Sequence, residues 1–310
     1  MVSDNFTFNS DEGTKIFVYV WKPDENVRVK GIVQISHGMA ETAERYERFA
    51  EALAKDGFIV YANDHRGHGK TAGSVDKLGY LADKDGFDWI VEDLHKLSVI
   101  IKKEYSDLPL FLFGHSMGSF AAQRYLMLYG RDLKGAILSG SNGRQGIMLN
   151  VAAYLAGKEV KKHGRKEKSD KMNQLLFGSY NNKFKPNRTE YDWLSRDNEE
   201  VDKYINDPFC GTVFPGGFFY DLMIGLKKIE SSGDLEQIPK SLPIFIFSGE
   251  MDPVGKMGKG VKKLFDTYKQ HGLNDVTLKL YPGGRHEMLN EINKDEVMKD
   301  VSGWINRHAG

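Results

Sequence analysis

Leu108-Pro109-Leu110-Phe111-Leu112-Phe113-Gly114-His115-Ser116-Met117-Gly118-Ser119 is the stretch that decides how this chain is read. Its centre, Gly114 to Gly118, has the pattern G-x-S-x-G. An apolar, strand-like run from Leu108 to Phe113 precedes it, and a helix-like run from Ser119 to Tyr129 follows. A serine on a sharp strand-to-helix turn is a nucleophile elbow, which lifts the hydroxyl clear of the backbone. The two glycines have a steric reason to be there. The serine is forced toward a strained conformation, and a Cβ two residues before or after it would collide with the turn. Alone, the pattern is weak. In a chain with 33 glycines among 310 residues, chance placement yields about 0.2 matches. A Gly-rich turn with a serine helix cap would look the same.

The surroundings of the elbow repeat its rhythm. Apolar runs at Gly31–Ser36, Phe58–Asn63, Pro109–Phe113, Gly135–Ser139, Pro243–Ser248 and Val276–Tyr281 alternate with amphipathic helices. Runs apolar on both faces predict strands covered on both sides, as in a parallel sheet. Ile90, Leu94, Leu97 and Ile101 form one helical stripe, and Val297, Val301, Trp304 and Ile305 form another. The alternation predicts a doubly wound α/β sheet. Two opening runs, Phe6–Asn9 and Lys15–Trp21, alternate in polarity and predict an antiparallel pair at the sheet edge. The rhythm stops between Ser141 and about Gly233, where helical stretches are expected near Ile147–Ala156, Ser169–Phe177 and Phe218–Ile229. The expected organisation is a core over 1–140 and 234–310, with 141–233 inserted as a lid above the C-terminal sheet edge, where ligands bind in such folds.

Composition removes several classes of function. Lys+Arg and Asp+Glu each number 43, so no global charge attracts nucleic acid. The single cysteine, Cys210, cannot form an internal disulfide, which suits a reducing compartment, and it reads as a small apolar filler. The first residues lack the basic and apolar regions of a signal peptide, and no apolar run is long enough to span a membrane. A soluble cytoplasmic protein is the expectation.

A serine hydroxyl is a poor nucleophile until a histidine takes its proton and a carboxylate orients that histidine. Of the histidines after the insertion, His271 lies near a helix end and His308 at the chain end. His286 lies in Pro282-Gly283-Gly284-Arg285-His286-Glu287, a loop between the last strand and the last helix, where the base must be. For the acid, Asp252 follows the strand Pro243–Ser248, and the Asp252-Pro253 step favours an extended turn that projects the carboxylate. Glu250 is the second candidate. The order Ser116, Asp252, His286 is that expected of an α/β-hydrolase. Two backbone N–H groups should bind the oxyanion. They are Met117, after the serine, and Met39, in the loop after Gly31–Ser36.

The segments His37-Gly38-Met39, Asp64-His65-Arg66-Gly67-His68-Gly69, Gly114-His115-Ser116-Met117-Gly118 and Arg285-His286-Glu287 occur in this order. They closely resemble the monoacylglycerol lipase and bacterial lysophospholipase group of α/β-hydrolases. Asn206-Asp207-Pro208-Phe209-Cys210-Gly211 is similar to the bacterial members. The resemblance implies the α/β-hydrolase fold, a mostly parallel sheet with an inserted helical cap. It also implies a serine ester hydrolase with an acyl-binding tunnel, acting on monoacylglycerol or lysophospholipid-like lipids without metal or organic cofactor.

Other readings compete. Phe214, Phe218, Phe219 and Met223 are candidates for an acyl pocket, and equally for packing of the lid on the core. Gly67-His68-Gly69-Lys70-Thr71 looks like the end of a phosphate loop, but Asp64 stands where its first glycine belongs. Asp64, His65 and His68 read as a turn rather than a metal site, and His115 as a packed, hydrogen-bonded histidine. Lys158 to Lys171 carries seven basic residues, read as a solvated helix face, with contact to an anionic or lipid interface as the sharper alternative. A general short-chain carboxylesterase is one alternative activity. An aminopeptidase-like hydrolase would need lid carboxylates for a free amine, and Glu199, Glu200 and Asp202 are the candidates. A non-catalytic receptor on this fold would be expected to have lost one of the three candidate residues.

Overall fold

The structure, a computed structural model, describes residues 1–310. Eight strands form one sheet: β1 (Val2–Asn9), β2 (Lys15–Lys22), β3 (Gly31–Ser36), β4 (Phe58–Asn63), β5 (Leu110–His115), β6 (Gly135–Ser139), β7 (Ile244–Gly249) and β8 (Val276–Tyr281). Their spatial order is β1-β2-β4-β3-β5-β6-β7-β8. β1 and β2 pair antiparallel and β2 is antiparallel to β4, while β4 through β8 run parallel. The expected edge hairpin and doubly wound sheet are both present.

Strands β3 to β7 are buried along their whole length, as their continuous apolar runs require. Successive side chains alternate between faces. On β5, Leu110 and Leu112 enter one core layer and Phe111 and Phe113 the other. β8 departs from the expectation of a strand covered on both sides, since all of it except Tyr281 is half-buried or exposed. It is the last strand and pairs only with β7, so one edge has no neighbour.

The helices of eight or more residues are α1 (Glu47–Lys55), α2 (Gly86–Glu104), α3 (Met117–Tyr129), α4 (Ile147–His163), α5 (Asp170–Phe177), α6 (Asn198–Asn206), α7 (Gly216–Ile229), α8 (Lys259–Gln270) and α9 (Lys294–Ala309). α1 and α9 close one face of the sheet, through Phe49, Leu53, Val297, Val301 and Trp304. α2, α3, α7 and α8 close the other. No helix is long and apolar enough to cross a membrane.

The chain leaves the sheet at Ser139 and rejoins it at Ile244, with α4 to α7 between. Two of these helices are started by side-chain caps. Ser169 Oγ accepts from Met172 N–H at 3.3 Å, and the Asp197 carboxylate accepts from Glu199 N–H at 3.1 Å and Glu200 N–H at 3.4 Å. The second cap opens α6, a short helix whose apolar stripe is Val201, Tyr204 and Ile205. Asp197-Asn198-Glu199-Glu200 was a further signal, a capping residue followed by acidic residues in the first turn. α7 packs against α2, α3 and α4 and is part of the main core rather than an outer layer.

Trp304 on α9 lies against Phe111 and Phe245 and is 2 % exposed. Trp304→Ala should destabilise the protein by about 3–5 kcal/mol through lost apolar burial and the cavity left behind, read from the shift in the urea unfolding midpoint.

Candidate active site

β5 ends at His115, and the backbone turns sharply at Ser116, with φ +51° and ψ −120°. A non-glycine residue in this region is strained and persists only where its surroundings hold it. Ser116 N–H donates to the Ser139 carbonyl at 2.9 Å, and Ser119 Oγ–H donates to the Ser116 carbonyl at 2.6 Å. A Cβ on Gly118 would lie 2.0 Å from the Ser36 carbonyl oxygen, and one on Gly114 would lie 2.5 Å from the Gly118 carbonyl oxygen. Both glycines are therefore demanded by close backbone approach, as the motif predicts.

Asp252 and His286 come together beneath the elbow. His286 Nδ1 is 3.0 Å from Asp252 Oδ1, and both residues are buried. Ser248 Oγ–H donates to the other carboxylate oxygen at 2.8 Å, and Val254 N–H donates to Oδ1 at 2.8 Å. This arrangement keeps the imidazole proton on Nδ1 and leaves Nε2 as an acceptor. Burial would lower the His286 pKa, but the Asp252 charge and hydrogen bond, with Glu287 and Glu41 nearby, outweigh it and hold it above the ordinary 6.5. Burial would likewise raise the Asp252 carboxyl, and His286 overcomes this to keep it below its usual value. Gly140 lies against the ring, where a Cβ would be 2.9 Å from His286 Cε1. Ser116 and His286 line the same cavity, without a hydrogen bond joining them in this structure.

The other candidates separate clearly. Glu250 is exposed. His271 meets Glu236 on the surface, and His308 bonds the Trp304 carbonyl and Asp275. His115 is buried and bonds Ser139 Oγ at 3.2 Å, as expected of a packed histidine. It is closer to the centre than expected, with its ring centroid 4.7 Å from that of His286. Burial, reinforced by His286, lowers its pKa to about 4, so it is neutral.

Met39 and Met117 both line the cavity. Met117 is the first residue of α3, so its N–H has no acceptor within the helix. The loop that carries Met39 is fixed by a carboxylate the sequence did not reveal. Glu41 Oε1 accepts from Gly38 N–H at 2.5 Å and from Tyr46 O–H at 2.9 Å. Arg45 then bridges Glu41, at 2.7 Å, to Glu287, which it grips with two bonds of 2.8 and 2.6 Å. Burial would raise the Glu287 carboxyl, but Arg45 outweighs it and, with a hydrogen bond from Asn290, holds it down at about 2. The loop before α1 is thereby tied to the residue after His286. The acid-x-x-x-base spacing from Glu41 to Arg45 was visible, but nothing local joins it to Glu287, 242 residues from Arg45.

The cavity has a volume of about 600 Å³. Phe120, Leu149, Leu155, Leu176, Met223 and Leu226 contribute apolar wall, and Asn142, Asn181, Tyr191 and Thr212 contribute polar wall. Of the four side chains proposed for an acyl pocket, Met223 reaches it. Phe214, Phe218 and Phe219 do not, which corrects the expectation. They are packed in the core, with the first two edge-on to His68. Phe218 and Phe219 lie one turn before Leu222 and Met223 on the same face of α7, so position along the helix axis divides core from cavity, and Phe214 precedes the helix.

The remaining motifs are structural. Asp64 accepts from Ala43 N–H at 2.8 Å and Lys70 N–H at 2.7 Å, while Thr71 Oγ1–H donates to the Asp64 carbonyl at 2.7 Å. His37 Nε2 accepts from His65 N–H at 2.9 Å. Burial lowers the pKa of His37 and His68 to about 3, so both are neutral. Cys210 packs with Leu194 and Tyr204, and burial pushes its thiol up. Glu200 is held by Arg48, Lys203 and Lys294, Asp202 by Arg188, and Glu199 is exposed. In the basic stretch, Lys171 pairs with Glu159 and Arg165 with Asp221, both across folded elements.

The strained serine turn and the shared cavity lie at the C-terminal ends of the parallel strands of an α/β-hydrolase fold, and the relatives of this chain make it a carboxylic ester hydrolase. The chain belongs to the family described as "Serine aminopeptidase, S33", which matches residues 27–293. It is 31% identical over 300 residues to a monoacylglycerol lipase of Mycolicibacterium smegmatis, covering 96% of this chain and 94% of that one. It is 27% identical to the human monoglyceride lipase, covering 96% and 89%. A thermostable carboxyl esterase from Bacillus coagulans, solved with glycerol, superposes with a TM-score of 0.91 at 32% identity over 100% of both chains.

The Arg45 side chain is 13% exposed and those of Glu41 and Glu287 are 5% and 7% exposed. Arg45→Met strands two buried carboxylates and should cost about 3–5 kcal/mol of stability at neutral pH, measured by urea unfolding. Adding Glu287→Gln should recover part of that loss, because one stranded charge is removed.

Proposed function

We propose that the chain hydrolyses single-chain acyl esters, monoacylglycerols or lysophospholipid-like lipids, by a two-step serine mechanism. One observation carries this: the elbow serine and His286, which Asp252 holds from behind, line one cavity of about 600 Å³ with much apolar wall, within the range of small-ligand sites. Ser116 Oγ attacks the ester carbonyl carbon as His286 Nε2 takes its proton, and Asp252 stabilises the imidazolium. Met39 and Met117 N–H groups hold the oxyanion. The tetrahedral adduct collapses, the C–O bond to the alcohol breaks, and His286 returns the proton to the leaving alcohol. Water then repeats the sequence on the acyl-enzyme, releasing the acid and Ser116. The lipase relatives support a glycerol-type alcohol.

In this proposal residues 141–233 act as a cap that admits a lipid. Ile147, Met148, Val151 and Tyr154 lie on one face of α4, and with Leu175 on α5 they are exposed beside the cavity. An apolar rim there supports transient contact with a lipid interface. The aminopeptidase alternative needs a carboxylate free to hold an amine. Glu41 and Glu287 are taken up by Arg45, and Glu200 and Asp202 are ion-paired, while Glu190 lines the cavity without an ion-pair partner, so aminoacyl amides belong in the substrate comparison.

Ser116→Ala should abolish ester turnover and fluorophosphonate labelling without loss of fold by circular dichroism; retained turnover sinks the mechanism. His286 must be neutral to accept a proton, and its pKa is held above 6.5. kcat/KM should therefore fall as pH drops through a midpoint above 6.5, and Asp252→Asn should lower kcat by about 10⁴-fold. Long-chain monoacylglycerols should exceed both very short esters and aminoacyl amides in kcat/KM; the reverse order removes the lipid substrate. Tyr154→Glu with Ile147→Glu should slow hydrolysis of emulsified or vesicle-borne substrate while leaving that of a dissolved short ester within about twofold.

A further inference from the structure

The imidazole of His286 has two aromatic neighbours. One is His115. The second is Trp193, from the segment inserted between β6 and β7, with its ring centroid 5.1 Å from that of His286 and the planes 35° apart. The same segment grips the histidine loop by its backbone. His286 N–H donates to the Trp193 carbonyl at 3.4 Å, and Glu287 N–H donates to the Leu194 carbonyl at 2.7 Å. Arg285 donates to the Ser195 carbonyl at 3.0 Å, and Ser195 Oγ–H donates to the Asn290 carbonyl at 2.8 Å. Trp193 is itself fixed by Phe177, nearly parallel at 6.4 Å, and by Tyr180, edge-on at 4.9 Å, both of which line the cavity.

We propose that Trp193 is a positioning residue for His286: its indole face supports the ring in the orientation Asp252 sets and steadies the imidazolium that forms when Ser116 gives up its proton. The proposal rests on His286 being the general base, as argued above. A cation within about 6 Å of an indole centroid is attracted by the negative face of the ring, most strongly where water is excluded. Neutral imidazole gains much less, so the contact favours the charged state, which forms during proton transfer and, in the free enzyme, below the His286 pKa. The other charged or titratable groups facing His286 are Asp252 from the loop after β7, His115 from the end of β5, Glu41 from the loop after β3, and Glu287 beside it. Tyr180 packs on Trp193 and feels the Asp252 charge. A smaller side chain in place of Trp193 also relieves the burial of His286, which acts the other way. Trp193→Met, which fills the space without a ring, is therefore the variant that isolates the indole.

The test is the pH profile of kcat/KM for Trp193→Met and Trp193→Phe, run with one short and one long acyl ester. The acid limb of kcat/KM belongs to the free enzyme, so its midpoint does not depend on which ester is used. Trp193→Met should lower that midpoint by about half a pH unit, Trp193→Phe by less, and both shifts should be the same for the two esters. A merely structural tryptophan would lower thermal stability and rate without moving the midpoint. Trp193→Leu takes the place of the methionine variant if that variant fails to fold. A midpoint that stays in place, moves upward, or moves with only one ester overturns the proposal. His286→Ala separates the two claims. If it is inactive while Trp193→Met leaves the midpoint in place, only Trp193 loses its role; if it retains activity, His286 is not the base and both proposals fall.

Discussion

Everything at the centre of this molecule depends on how closely α3 approaches β3. The start of the helix lies against the Ser36 carbonyl so tightly that Gly118 has no room for a methyl group. That approach forces the turn at Ser116 to positive φ, and the turn sets the hydroxyl at the end of the strand, in the cavity. A relaxed serine would follow the strand or the helix and present its side chain to one of the packed layers. The strain is local, and the surroundings that hold it are extensive: two core layers and a sheet buried from β3 to β7.

Around the elbow, charge is handled in two different ways. Asp252 and His286 form a short, buried pair with every carboxylate oxygen satisfied, which fixes a tautomer and keeps the imidazole basic. Glu41, Arg45 and Glu287 form a second buried set that ties the loop carrying Met39 to the residue after His286. Buried ion pairs contribute little net stability once desolvation is counted, but losing one partner is costly. Such a set is therefore suited to fixing the relative position of two loops. The histidines His37, His65 and His68, by contrast, are neutral and serve as polar packing, His37 in the loop after β3 and the other two in the turn after β4.

The insertion has two parts of different character. From Tyr191 to Gly211 it is bonded to the core at many points, including the histidine loop and α9. Its earlier helices, α4 and α5, leave large apolar side chains exposed beside the cavity. The proposed roles follow this division, with the bonded part framing His286 and the exposed helices meeting the substrate's surroundings.

Sequence by itself determined the sheet, its antiparallel edge, the elbow and the pairing partners Asp252 and His286. These are carried by local patterns: continuous apolar runs, steric demands for glycine, and loops placed after strands. The half-buried state of the last strand β8 was legible in Thr277 and Lys279, which alternate with Val276, Leu278 and Leu280, a pattern unlike the continuous runs of the covered strands. α6 was legible through its cap and through Val201, Tyr204 and Ile205 at helical spacing, a short stripe within nine residues. Only the tertiary structure decided that Phe214, Phe218 and Phe219 serve the core while Met223 faces the cavity, because Phe219 and Met223 share one helix face and only depth along α7, which no local pattern records, separates them. It alone brought Arg45 to Glu287 and Trp193 to His286. Contacts between residues far apart in the chain are set by how the layers close, and no local pattern records them.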